Sequence, residues 1–210
     1  MVEREPSKTM SDQITLLVLL KALKDLGFET RRLKLEKLVY FANMLGRLLG
    51  EKITNQEFFV WKYGPFSKQL YADVEVLVAR DFVKATELDT YEEADEKSFE
   101  YTITKAGLAA AEKALQDSEF KSKYDVILRS LQATGNLSAA QIKKLSYGEL
   151  DFKDARAKGK TTVINPDFPH SVRMTNLAKE VADRDFGMKL SDEEASFLYL
   201  KLVEALSASE

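Results

Sequence analysis

The feature of this sequence that most constrains its fold is the run at residues 14–20 (ITLLVLL), in which only Thr15 is polar. A helix with apolar side chains on nearly every side must be buried over most of its surface. The run is far shorter than the ~20 residues of a membrane-spanning helix, and Lys21 follows it at once. We therefore expect a helix over residues 11–26, ended by Gly27, in the core of a soluble protein.

A second helix is predicted from the capping residue Thr30 to Leu49, with Gly50 ending it. Its apolar residues recur at the helical period and form one stripe. The stripe consists of Leu35, Leu38, Val39, Ala42, Leu45 and Leu49. We expect this stripe to pack into the core.

Aromatic and β-branched residues then predict a strand at residues 57–62 (EFFVWK), and Tyr63-Gly64-Pro65 is expected to interrupt regular structure. A helix over residues 68–80 follows the capping residue Ser67, and strands are predicted at residues 82–88 and 99–104. The order is helix, helix, strand, helix and hairpin. The predicted fold class is α+β, mostly α, with a winged-helix-like core and a small β-hairpin.

Helices are also predicted across the second half of the chain, at residues 104–116, 124–134, 138–145, 172–185 and 191–206. Residues 148–170 carry Gly, Pro and several basic residues, and we interpret them as a long surface loop. The predicted organisation is a flexible tail at residues 1–10, the winged-helix-like core at residues 11–120, and a helical C-terminal region at residues 121–210 packed on that core.

Composition excludes several classes of chemistry. The chain has no Cys and a single His, so disulfides, thiolate metal sites and histidine-rich zinc sites are ruled out. Glycine-rich phosphate-binding motifs and the G-x-S-x-G elbow of serine hydrolases are absent from the sequence. His170 lies in the predicted loop, where an exposed histidine needs no catalytic explanation. We expect a protein that is not an enzyme, binds no metal and no cofactor, and resides in the cytoplasm.

Charge is distributed unevenly, although the net charge is only −3. Residues 20–70 contain ten basic and five acidic residues, which is a local excess of +5. The expected hairpin tip at residues 89–97 (DTYEEADEK) is strongly acidic. An acidic tip repels a phosphate backbone, so DNA binding remains open but is disfavoured relative to binding of an acidic protein. No contact with a membrane is expected, and the oligomeric state stays open, with a homodimer among the alternatives.

Two motifs are more specific than the composition. Residues 34–42 read KLEKLVYFA, and residues 59–66, about twenty residues later, read FVWKYGPF. A K-L-x-K-L-[LV]-Y-[FY] helix followed by a W-x-Y-G-P turn resembles the Panacea antitoxin domain, over about residues 16–113. Two departures are Tyr147, where a histidine is typical, and an extension at residues 148–210 without a counterpart in the family.

The resemblance implies direct binding that neutralises a cognate toxin, in one branch of the family as a proteolytic adaptor. A winged-helix transcriptional regulator is the alternative. Strand alternation places Trp61 and Tyr63 on one face of the strand, and that face either enters the core or presents hot-spot residues to a partner. The predicted partner-binding residues are Lys34, Lys37, Tyr40, Trp61, Tyr63, Gly64, Pro65 and Phe66.

Overall fold

A computed structural model of the chain describes residues 6–93 and 96–208. Helices account for most of this part of the chain, and four strands form two antiparallel hairpins. The helices are α1 (Pro6–Asp25), α2 (Arg32–Leu48), α3 (Lys68–Ala79), α4 (Lys105–Ala114), α5 (Ser118–Thr134), α6 (Ala139–Gly148), α7 (Leu150–Lys158), α8 (Pro169–Phe186) and α9 (Asp192–Ala208). The strands are β1 (Phe59–Trp61), β2 (Gly64–Phe66), β3 (Val83–Glu93) and β4 (Glu96–Ile103). The mostly α, α+β fold class is confirmed.

Helices α1 and α2 form the centre of the core. Apart from the partly buried Ile14, the apolar residues of the run in α1 are buried, as its composition predicts, and α1 packs against α3, α4 and α5. Gly27 ends this helix with φ of 71°, a left-handed conformation that glycine adopts without strain. Helix α2 contacts α5, α6 and α8 as well as strands β2 and β4. Because neighbours surround it, α2 is buried well beyond the predicted stripe.

The predicted stripe of α2 is confirmed at five of its six positions, which are Leu35, Leu38, Val39, Ala42 and Leu45. Leu49 follows the last residue of α2 and is only partly buried against the core. The opposite side of the helix is buried too, including the charged residues Glu36 and Lys37. The pattern of apolar residues cannot predict the burial of these charged residues. It identifies only apolar side chains, which can be buried without a polar partner.

The element order from α1 to β4 is the predicted one, with one addition. Residues Gly64 and Pro65 were expected to interrupt regular structure, and they instead begin β2, which pairs with β1 in the register Phe59 to Phe66. Strands β3 and β4 form a separate hairpin. Since β1 does not pair with that hairpin, the winged-helix likeness stays a prediction. Of the acidic tip, residues 94–95 and all side chains after Asp89 lie outside the described residues.

Several helices begin at residues other than those that the sequence indicates. Helix α1 begins at Pro6, so residues 6–10 are helical and were expected to belong to a flexible tail, while residues 1–5 lie outside the described part. Thr30 does not cap α2, because its hydroxyl donates a hydrogen bond to the Tyr101 carbonyl instead. Helix α5 begins at Ser118, where the Asp117 carboxylate caps it. The Asp117 cap is local, whereas the hydrogen bond of Thr30 to Tyr101 is a long-range contact that the sequence does not reveal.

The prediction of a surface loop at residues 148–170 is wrong. Residues 150–158 form α7, and residues 161–164 lie beside β1. The Val60 amide donates to the Thr162 carbonyl at 2.9 Å, and the Ile164 amide donates to the Phe58 carbonyl at 2.8 Å. Phe152 and Phe168 are buried in the core. Residues 161–164 therefore pair with the edge of β1 that β2 leaves free. This pairing joins residues about 100 positions apart, so the local sequence does not predict it.

Helices α8 and α9 pack against each other, and α9 also contacts α6 and α2. The predicted capping box at the start of α9 is confirmed, since the Glu194 amide donates to the Ser191 hydroxyl at 3.2 Å and the Ser191 amide donates to the Glu194 carboxylate at 2.8 Å. Among the described residues, no helix is both long and apolar enough to cross a membrane.

Candidate functional site

The hairpin of β1 and β2 turns one face inward and presents the other at the surface. Phe58 and Val60 are buried, whereas Trp61 keeps 50% of its surface exposed. Of the two faces that strand alternation left open, the one containing Trp61 therefore faces away from the core, and its contact with a partner stays a prediction. Trp61 is the single tryptophan of the chain. Tryptophan side chains are on average largely buried, so the exposure of Trp61 is unusual.

Three rings form a continuous surface that we call the aromatic row, consisting of Trp61, Phe66 and Tyr71. The ring centroids of Trp61 and Phe66 lie 5.7 Å apart, and those of Phe66 and Tyr71 lie 5.5 Å apart. The Arg32 guanidinium lies 4.4 Å from the Tyr71 centroid and extends the row by a cation–π contact. The row joins the hairpin to the start of α2 and to α3.

Tyr63 lies beside the row, in the two-residue loop between β1 and β2. Its ring is partly buried and has two ammonium groups nearby, with Lys62 Nζ 4.9 Å and Lys143 Nζ 5.8 Å from the ring centroid. Exposed contacts of this kind contribute about 0.5–1 kcal/mol each. The surface around the turn is thus aromatic and basic together.

Gly64 and Pro65 are buried beneath this surface. Gly64 has φ of 98°, a backbone conformation that glycine adopts readily because it has no Cβ. A Cβ at Gly64 would lie 2.8 Å from Ser146 Oγ and 3.3 Å from Lys37 Cε. The hairpin therefore approaches α6 and α2 as closely as a glycine allows.

A buried ion pair holds the hairpin from below. Lys37 Nζ donates hydrogen bonds to Glu36 Oε1 and to the Pro65 carbonyl, each at 2.6 Å. The Tyr71 hydroxyl donates to the other oxygen of Glu36. One pair of adjacent residues on α2 thus fixes the backbone of β2 and the last ring of the aromatic row.

The electrostatics of this pair follow from its burial. Burial raises the pKa of the Glu36 carboxyl, and the Lys37 ammonium together with the Tyr71 hydroxyl opposes that rise. Burial and the nearby Glu36 carboxylate raise the pKa of the Tyr71 hydroxyl above its usual value. Tyr71 accordingly stays protonated and acts as a donor to Glu36.

Tyr40, three residues after Lys37, is also fully buried. Its hydroxyl donates to Glu149 Oε2 at 2.5 Å, and the Tyr199 hydroxyl of α9 donates to Glu149 Oε1 at 2.9 Å. The Phe152 amide donates to the same carboxylate at 2.7 Å. Glu149 therefore links α2, α7 and α9 through one buried group.

A second buried carboxylate lies beside Glu149. The Ser171 hydroxyl is 2.8 Å from Glu149 Oε1 and 2.6 Å from Asp151 Oδ2, and the Ser171 amide donates to Asp151 at 2.9 Å. Burial raises the pKa of Glu149, the negative charge of Asp151 adds to the rise, and the hydrogen bond from Tyr40 opposes it. This network fastens the start of α8 to the end of α6.

A sequence model of one protein family, described as the antitoxin SocA-like Panacea domain, matches residues 35–150. The match covers 116 of the 210 residues and includes the hairpin, the buried ion pair and, apart from Lys34, both sequence motifs. The chain belongs to this antitoxin-like family. Comparison with curated proteins gives no significant match.

The Panacea domain brings together only some of the predicted partner-binding residues. Trp61, Tyr63 and Phe66 share the accessible surface. The other five are buried, and they are Lys34, Lys37, Tyr40, Gly64 and Pro65. Because these five residues are buried, they cannot contact a partner directly while the fold is intact. We regard them as residues that support the surface.

Lys34 supports the fold at the edge of the Panacea domain. Its ammonium lies 5.7 Å from the Phe28 ring centroid, and burial lowers its pKa. Of the basic residues at the start of α2, Lys34 and Lys37 are thus buried, and only Arg31 and Arg32 remain partly accessible. A nucleic-acid backbone would find fewer positive charges here than the sequence indicates.

Sequence reasoning missed Tyr71, Arg32 and Glu36 as parts of the site. Glu36 lies within the first motif, so its buried role could have been suspected from the charged residues inside an otherwise apolar helix. Tyr71 and Arg32 carry no local signal, because the contact of Tyr71 with Phe66 and that of Arg32 with Tyr71 form only in the folded chain.

No group of three or more His, Asp or Glu side chains in residues 6–93 and 96–208 could hold a metal ion. His170 lies in the first turn of α8 instead of a loop and is exposed, with Nε2 3.8 Å from Asp154 Oδ2.

Proposed function

We propose that this chain neutralises a toxin protein by binding it directly, and that the aromatic row with Tyr63 is the contact surface. The observation that carries the proposal is the half-exposed Trp61 at the end of a row of rings within the antitoxin-like domain. Tryptophan and tyrosine dominate binding hot spots because they bury a large area at a small cost in conformational entropy.

The underside of the hairpin supports this assignment. Lys37 holds the Pro65 carbonyl, and Gly64 packs closely over α6, so the surface rings stand on a fixed backbone. A preorganised surface loses little entropy on binding and so retains more of its interaction energy as affinity. We propose that the chain acts stoichiometrically as a binding protein and catalyses no reaction.

The partner to test is the protein encoded by the reading frame next to the gene for this chain. Expression of that protein should arrest growth, and expression of this chain should restore it in proportion to its amount. An excess of the partner should overcome the rescue, because a binding protein is consumed one for one. Full rescue by substoichiometric amounts of this chain would contradict neutralisation by simple binding.

Variants at the surface separate binding from folding. Tyr63→Ala and Trp61→Ala should each weaken capture of the partner by about 2 kcal/mol or more, the scale of a hot spot, with little change in melting temperature. Phe197→Ala is the matched control, because Phe197 is 48% exposed and lies on α9, outside the Panacea domain match. Lost stability with retained capture at low temperature would place Tyr63 in an architectural role and leave the contact surface elsewhere.

A further inference from the structure

A pocket of about 470 Å³ opens between β1 and α7 and shares Trp61 with the aromatic row. It has an aromatic floor, formed by Trp61, Tyr147 and Phe152. Its rim carries three basic residues, which are Lys62, Arg156 and Lys160. We call this the β1–α7 pocket, and its volume is in the range of sites that bury a ligand-sized group.

The floor of the pocket is rigid. The ring of Tyr147 stacks on Phe152, with centroids 5.8 Å apart and planes inclined by 21°. The Tyr147 hydroxyl donates to the Lys62 carbonyl at 3.2 Å, and the Arg156 guanidinium lies 5.3 Å from the Tyr147 centroid. Strand β1 is held on one side by β2 and on the other by residues 161–164. The pocket is therefore formed before any partner arrives.

Charge defines what such a pocket accepts. Lys62, Arg156 and Lys160 are all exposed, and no carboxylate is among the described residues that line the pocket. An apolar aromatic floor takes an apolar side chain, and a basic rim attracts negative charge around it. The combination fits an acidic peptide segment that carries an apolar anchor.

The two halves of the pocket come from different parts of the chain. Trp61, Lys62 and Tyr147 lie within the Panacea domain match, which ends at residue 150. Phe152, Arg156 and Lys160 lie beyond it, on α7 and the segment that follows. The extension therefore contributes one of the three floor residues and two of the three rim residues, next to a surface that the family domain supplies.

We propose that the β1–α7 pocket binds an acidic segment of the partner, anchored by an apolar side chain, and that residues beyond 150 select the partner. The proposal rests on the proposed function only for the identity of that partner as a toxin. The aromatic row provides a general contact surface, and Arg156 and Lys160 add the charge that discriminates one partner from another.

Trp61 makes the proposal directly measurable, because it is the single tryptophan of the chain and lies in the pocket. The probe is a ten-residue peptide of glutamates with two central leucines, titrated into the full chain while tryptophan emission is recorded. We expect a saturable change in emission. The matched peptide with glutamines in place of the glutamates should bind at least tenfold more weakly, and salt should weaken binding of the acidic peptide alone.

Charge reversal tests the role of the extension. Arg156→Glu and Lys160→Glu should each weaken binding of the acidic peptide about tenfold or more, with unchanged melting temperature. Lys121→Glu is the control with the same change in net charge, at an exposed position on α5. Equal weakening by the control would show a general charge effect and would overturn the pocket assignment.

Other occupants give different results. Tighter binding of adenosine triphosphate than of the acidic peptide would identify a nucleotide site and overturn the proposal. Concentration-dependent dimers that the peptide dissociates would show that a second copy of this chain fills the pocket, and would overturn it as well.

Growth rescue separates this inference from the proposed function. Retained rescue by Arg156→Glu and Lys160→Glu, with rescue lost in Trp61→Ala, would leave the antitoxin function standing and overturn partner selection by the pocket. Peptide binding without rescue of any toxin would support the pocket and contradict the proposed function.

Discussion

Helices α2 and α9 both have 17 residues, but α2 buries charged side chains whereas α9 exposes apolar ones. On α2 the charged residues Glu36 and Lys37 are 2% and 0% exposed. On α9 the apolar residues Phe197 and Leu198 are about half exposed. Burial is thus decided by the neighbours of a helix, because α2 is surrounded by packed elements and α9 has an outer face at the surface.

The comparison also shows where the chain accepts an energetic cost. Removing two ions from water is expensive, and their attraction compensates only when their hydrogen-bonding groups are satisfied. Lys37 and Glu36 meet that condition through the Pro65 carbonyl and the Tyr71 hydroxyl. The same hydrogen bonds position the hairpin. The desolvation cost of the ion pair is therefore accepted directly beneath the proposed contact surface.

The sharpest test of α2 is Lys37→Met, which leaves Glu36 buried without its cation. We expect a loss of about 3–5 kcal/mol in the free energy of unfolding, because an uncompensated buried charge is strongly destabilising. Denaturant unfolding measures this loss. The double variant Lys37→Met with Glu36→Leu should lose much less, and an equal loss in both variants would contradict the importance of charge pairing.

The apolar side of α2 should respond almost as strongly. Leu38 is fully buried, and Leu38→Ala should lower the free energy of unfolding by about 2–5 kcal/mol, since it removes buried methyl groups and leaves a cavity. The melting temperature and denaturant midpoint measure the effect. An unchanged melting temperature would remove α2 from the core.

Glu149 connects the two helices, because Tyr40 of α2 and Tyr199 of α9 both donate to it. Its pKa is raised in the folded state, so the folded protein binds a proton more readily than the unfolded chain does. This contribution to stability is complete below the unfolded pKa of about 4.5 and is lost as pH rises through the higher folded pKa. Glu149→Gln cannot titrate and should lack this dependence.

The measurement is the unfolding free energy of the wild-type protein minus that of Glu149→Gln, followed from pH 4.5 toward neutral. The difference should decrease as pH rises. Asp151 and Ser171 face the same group, so Ser171→Ala is the control that alters the network and keeps the titrating carboxyl. A difference that increases with pH would mean that the folded state favours the ionised carboxylate.

The smallest effect is expected on the outer face of α9. Leu198→Ala should change the free energy of unfolding by no more than about 0.5 kcal/mol, because an exposed side chain contributes little to the core. Leu200→Ala on the buried face is the matched comparison and should destabilise the protein clearly. A large loss in Leu198→Ala would show that the outer face of α9 is covered in solution.

The exposed hairpin illustrates how far sequence reasoning reaches. The motif at residues 59–66 located strand β1, and strand alternation correctly reduced the choice of outward side chains to two faces. Which face turns outward depends on Phe58 and Val60 reaching the core, which is a long-range contact. The predicted loop at residues 148–170 failed for the same reason, since its strand-like segment is stabilised by β1 and not by its own residues.

The sequence by itself determined the mostly α-helical fold class, the buried character of α1, the stripe of α2 and membership in the antitoxin-like family. These properties follow from periodicity, capping residues and contiguous motifs, all of which are local. Only the tertiary structure decided that Lys37 and Tyr40 are buried, that Tyr71 belongs to the aromatic row and Arg32 extends it, and that α7 forms one wall of a basic pocket. Such relations depend on which elements pack together, and burial of a charged side chain is tolerated only where distant groups complete its hydrogen bonds.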